Sequence, residues 1–92
     1  SMDKLLGTYI NEKDSKDQAT FFAKNKTLWM KNELYGMNFN YIGDNSFQYP
    51  GIANGSSWTL HFEILSSGGV KLTQTYINEK GVKDVSISIK EK

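Results

Sequence analysis

The chain has 92 residues, 38% hydrophobic and 13% aromatic, with 11 basic and 10 acidic side chains and a formal charge of +1, which describes one domain with a single compact core and no room for a second. That composition is too apolar for a disordered chain, and the near-neutral charge, without a Lys/Arg stripe, excludes a phosphate-binding surface and therefore a nucleic-acid partner. The absence of cysteine excludes disulfides and thiolate chemistry and leaves the compartment open; no apolar run approaches the roughly 20 residues of a membrane span, and the N-terminus lacks the basic and apolar regions of a signal peptide.

Ser1-Met2 reads as the remnant of a cleaved tag, which puts the domain at residues 3–92. Leu6 to Glu12 is the first predicted strand. Gln18 to Lys24 and Thr27 to Glu33 follow as β-rich runs around Asn25-Lys26, a short turn whose Asn tolerates positive φ. Met37, Phe39 and Tyr41 alternate with polar residues, and Gly43-Asp44-Asn45 turns the chain into Phe47 and Tyr49. Pro50 to Ser57 is the longest turn-like stretch; its Ile52 either plugs a barrel end or meets a partner.

Trp58, Leu60, Phe62 and Ile64 alternate with Thr59, His61 and Glu63, and Ser66-Ser67-Gly68-Gly69 makes a hairpin into Val70, Leu72 and Tyr76. The last run sets Val85, Ile87 and Ile89 against Ser86, Ser88 and Lys90, a half-buried strand whose apolar row is expected to face the core. Sustained helical periodicity is nowhere found. About eight short strands joined by tight turns, without the long crossover of a Greek key, predict an all-β, antiparallel up-and-down barrel.

Thr8-Tyr9-Ile10-Asn11-Glu12-Lys13 returns as Thr75-Tyr76-Ile77-Asn78-Glu79-Lys80. Each copy ends a strand and opens a hairpin, Asp14 standing where Gly81 stands, both residue types that accept left-handed geometry. Closure of the barrel would set the two copies side by side at the seam. An ancient or local duplication with no functional meaning explains the echo better than a functional role does, since one repeat at this separation is not an array.

Catalytic constellations are missing. His61 is the single histidine, and its alternation phase places it on the solvated outer face; a hydrolytic role would need it to meet a serine such as Ser46 or Ser57 through folding. The acids lack calcium-loop spacing, Glu12, Asp14 and Asp17 are mixed with Lys13 and Lys16, and the glycines lack a phosphate-loop pattern, so no metal or cofactor is expected. Asn25-Lys26-Thr27 and Asn54-Gly55-Ser56 fit the N-glycosylation pattern, which is too short to carry weight. The remaining candidates for ligand or partner contact are Trp29, Tyr35, Tyr49, Pro50, Ile52 and Trp58, near strand ends or in loops. An eight-stranded interior either fills with side chains or holds one small ligand, and the bulky inward residues favour filling.

Leu5-Leu6-Gly7-Thr8-Tyr9, Leu28-Trp29-Met30, Asp44 to Pro50, Leu60-His61-Phe62 and Gly68 to Leu72 together resemble the lipocalin-like barrel that follows the catalytic domain in serine peptidases and esterases of the β-lactamase/penicillin-binding-protein class. The resemblance implies a bacterial, periplasmic or extracellular accessory module whose partner is the catalytic domain of a parent hydrolase, shaping access to its site or helping it oligomerise. The chemistry would belong to that other domain: no S-x-x-K or K-T-G motif is present, and Tyr9-Ile10-Asn11 and Tyr76-Ile77-Asn78 satisfy Y-x-N alone. The alternative is a free-standing binder of a small apolar ligand, with an open internal cavity of roughly 300 Å³ or more.

Overall fold

The computed structural model describes residues 2–51 and 55–92, so the expectations attached to Ile52 and to Asn54 lie outside the described residues. Eight strands, β1 (Gly7–Asn11), β2 (Asp14–Lys24), β3 (Thr27–Met30), β4 (Met37–Gly43), β5 (Ser46–Gln48), β6 (Ser57–Ile64), β7 (Val70–Ile77) and β8 (Lys83–Lys90), pair antiparallel in chain order and close into a barrel through β1 and β8. Closure removes the free sheet edges that an open meander would expose. A 3-10 turn at Asp3–Leu5 precedes the barrel and has no counterpart in the sequence expectations.

The tight turns follow the local chemistry. Asn25-Lys26 and Asp44-Asn45 both have positive φ at two successive residues, the type I′ geometry whose twist matches the flanking strands. Asn11 Oδ1 accepts the Lys13 N–H at 2.8 Å and Asn78 Oδ1 accepts that of Lys80 at 2.9 Å, so the two echoed segments build the same side-chain-to-backbone turn. They are not side by side, however. One copy lies on β1 and the other at the end of β7, with β8 between them. Asp14 is also outside the positive-φ set that includes Gly81, because it is already the first residue of β2, paired with Asn11 across the Glu12-Lys13 turn.

β2 begins earlier than Gln18, β3 stops at Met30 rather than Glu33, and β5 ends at Gln48. Asn32 explains the early stop of β3: its side-chain oxygen accepts the N–H groups of Leu34 and Tyr35 and curls the chain away.

Inside, Tyr9, Phe21, Phe47 and Phe62 meet edge to face, with ring centroids 5.5–5.7 Å apart, and Leu28, Leu60 and Leu72 fill the space around them. Edge-to-face pairs of this kind contribute about 0.5–1.5 kcal/mol each beyond the area they bury. The Tyr9 hydroxyl donates to the Leu5 carbonyl at 2.7 Å and ties the 3-10 turn over one barrel mouth. Burial holds that hydroxyl protonated well above the ordinary phenol range.

Candidate interaction surface

β8 is turned the opposite way from its apolar pattern. Ser88 is 4% exposed and sits opposite the fully buried Leu72, whereas Val85 is 49% and Ile89 39% exposed and Ile87 is half-buried. The reason is volume. Ser88 lies between Asn11 of β1 and the fully buried Leu72 of β7, so a small side chain fits there. A slip of one residue would bring Val85, Ile87 and Ile89 inward and force three branched side chains into that filled space.

The consequence is an apolar ridge on the outside. Ile10 of β1 lies directly across from Ile89, and Thr73 and Thr75 of β7 lie across from Ile87 and Val85. Thr8 and Thr20 continue the face on β1 and β2 with a hydroxyl pair at 2.9 Å. Leaving a Val or Ile in water forgoes about 1.5–3 kcal/mol relative to full burial.

Recesses open near the two ends of β8. One, of about 490 Å³, is lined by Asn11, Glu12, Lys13, Asp14, Asp17 and Asp84 together with Val85 and Ile87. The other, of about 430 Å³, is lined by Lys4, Lys90, Glu91 and Lys92 beside Ile64 and Val70. Of the charged residues in the alternation phase of Val85, Ile87 and Ile89, Lys83 stands where β8 begins and Lys71 of β7 lies across from Ile89.

The side chains singled out from the sequence do not form one site. Tyr49 and Trp58 pack with Phe39 inside the barrel, at centroid distances of 5.0–5.5 Å, and Trp58 Nε1 donates to Gln74 at 3.0 Å. Trp29 lies elsewhere, stacked on Phe22 with the Lys24 ammonium 5.9 Å from its ring. Tyr35 stands exposed in the β3–β4 connection, and Pro50 is exposed beside Tyr49.

His61 and Ser46 do meet, as opposite residues of β6 and β5, with Ser46 Oγ 2.7 Å from His61 Nδ1. The expectation of a merely solvated histidine is thus corrected: the ring is half-buried and bonded. Ser46 Oγ also donates to the Asp44 carbonyl at 3.2 Å, and in that arrangement the hydroxyl accepts Nδ1–H and no base faces it. Among the described residues His61 has no second side-chain partner, and no three His, Asp or Glu side chains converge to hold a metal ion.

A third recess, of about 450 Å³, opens at the mouth under the 3-10 turn, with Lys26, Asn40 and Asn45 around it. Its floor, Leu5, Leu28, Phe39 and Phe47, is at most 4% exposed, while Met2 and the 63%-exposed Tyr41 leave apolar surface at its rim.

No helix among the described residues is long and apolar enough to cross a membrane. Compared with known proteins, the chain matches no family model, no curated protein and no solved structure.

Proposed function

We propose that this barrel is a non-catalytic accessory domain of a serine hydrolase of the β-lactamase class, and that it acts by packing its outer β7–β8–β1 face against protein. The observation that carries the reading is the orientation of β8, which spends Val85, Ile87 and Ile89 on the outside and Ser88 on the inside. Contiguous apolar surface of that kind, rimmed by charge, marks a protein contact. The hydrolase half of the reading rests on the sequence resemblance alone.

The absence of catalysis is argued from geometry. The Ser46–His61 pair has no carboxylate to orient the ring, which a nucleophile–base pair requires.

The test has two parts. The reading frame that encodes the barrel is expected to contain a serine-hydrolase domain with an S-x-x-K motif, and in that chain Ile87→Lys is expected to lower the thermal midpoint of the hydrolase domain. A reading frame without such a domain would sink the hydrolase half, and an unchanged midpoint would sink the docking half.

The second reading, a binder of a small apolar molecule, has the volume of the mouth recess in its favour and the closed packing beneath it against it. A saturable thermal shift with a fatty acid would promote it, because a ligand that prefers the folded state raises its stability.

A further inference from the structure

We propose that the recess at the barrel mouth is a binding site for a small organic carboxylate, its anionic group held by Lys26 beside Asn45 and its body laid against Met2 and Tyr41. The site is independent of the accessory reading, and it differs from the apolar-ligand reading in making charge the basis of selection.

Two hairpin turns build the site. The β2–β3 turn at Asn25-Lys26 and the β4–β5 turn at Asp44-Asn45 stand at the same end of the barrel, and the second residue of each, Lys26 and Asn45, lines the recess. Each comes two residues before a buried side chain of the recess floor, Leu28 or Phe47, and so continues the inward row of its strand. The second position of a type I′ turn is the one that glycine fills most readily. Lys26 holds it at φ +62, a left-handed conformation that a long side chain rarely adopts. A strained backbone is thus kept at a residue that lines a recess, and strain of that kind collects at ligand sites.

The polar groups are free to bind. Among the described residues, neither the Lys26 ammonium nor the Asn45 side-chain amide has a hydrogen-bond or ion-pair partner in the chain. No carboxylate lines the recess; Asp44, next to Asn45 in the turn, is not part of its lining. A lone cation in a recess selects an anion, and an amide beside it can donate a second hydrogen bond to the same carboxylate. The recess holds about 450 Å³ above a closed floor, with its uncovered apolar surface on Met2 and the exposed Tyr41. Those dimensions suit a compact body of about ten heavy atoms and exclude a long chain threaded into the barrel. With one charge contact in a partly open recess, the Kd is on the order of 1 mM.

The experiment is a backbone-amide NMR titration of the barrel with benzoate and, separately, hexanoate, each compared with its uncharged primary amide, up to about 20 mM. Saturable shifts centred on Lys26, Tyr41 and Asn45 are expected for at least one acid, with its amide binding about tenfold more weakly or less. Lys26→Gly is expected to weaken binding of that acid by about tenfold or more while raising the thermal midpoint of the barrel, and Lys26→Arg to keep the affinity within about threefold. Weaker binding in a more stable variant is not the result of a damaged fold.

Titrations in which neither acid saturates, or in which the shifts centre away from the mouth, overturn the site. An amide that binds as well as its acid overturns selection by charge and favours the apolar-ligand reading instead. A Lys26→Gly barrel that binds as well as the wild type overturns the role of Lys26. None of these outcomes touches the accessory reading, which is judged by the reading frame and by the Ile87→Lys hydrolase.

Discussion

Ser88 and Tyr9 are the residues on which the inside of the barrel is decided. Replacing Ser88 by Ile pushes a branched side chain against the fully buried Leu72, and overpacking of this kind costs about 1–3 kcal/mol. In a domain of this size that lowers the thermal midpoint by about 4–8 °C per kcal/mol, whereas Val85→Thr on the outer face is expected to stay within about 0.5 kcal/mol of the wild type. Differential scanning calorimetry of the two variants separates the faces. Tyr9 adds a pH dependence. Its hydroxyl is held protonated by burial, above its ordinary value of 10.0, so the stability it contributes is complete below pH 10 and falls as the pH rises beyond it. Tyr9→Phe is expected to cost about 1 kcal/mol at neutral pH through the lost bond to Leu5, and to flatten the decline of the melting temperature above pH 10. Ser46 and His61 carry the test of the non-catalytic reading: hydrolysis of a chromogenic ester is expected at the rate of buffer alone, identically for the wild type and His61→Ala.

Turns carry the element scale. Lys26 holds φ +62 at the second position of the β2–β3 turn, a conformation that is strained for a side chain and free for glycine. Lys26→Gly makes the Asn-Gly pair that type I′ turns favour, and is expected to stabilise the barrel by about 0.5–1 kcal/mol in urea unfolding. The turns and the strand number were legible in the sequence for local reasons: Asn, Asp and Gly at hairpin positions and period-2 alternation between them. The facing of β8 was not legible. Alternation separates the two faces of a strand without saying which is inside, and at Ser88 the answer comes from its partners Asn11 and Leu72, distant in sequence. The separate placement of the aromatic candidates was hidden for a related reason. Trp58 and Tyr49 pack against the core, whereas Trp29, stacked on Phe22, and the exposed Tyr35 lie outside it.

At the scale of the whole molecule, a closed barrel with a filled interior has only its outer surface and its mouths with which to act. The floor of the mouth recess is made of side chains already buried, while the β7–β8–β1 face keeps Ile and Val residues in water. That contrast favours contact with protein over capture of an apolar ligand, and it gives the accessory reading a physical surface to act through.

The central claim is that β8 presents Val85, Ile87 and Ile89 outward and Ser88 inward. Because the chain has no cysteine, it can be tested by thiol labelling of single variants Val85→Cys and Ser88→Cys with an aromatic disulfide reagent. At low protein concentration Val85→Cys should react at the rate of an unfolded control and Ser88→Cys at least a hundredfold more slowly, limited by opening of the barrel. Fast labelling of Ser88→Cys together with protection of Val85→Cys would place the apolar row inside and contradict the account.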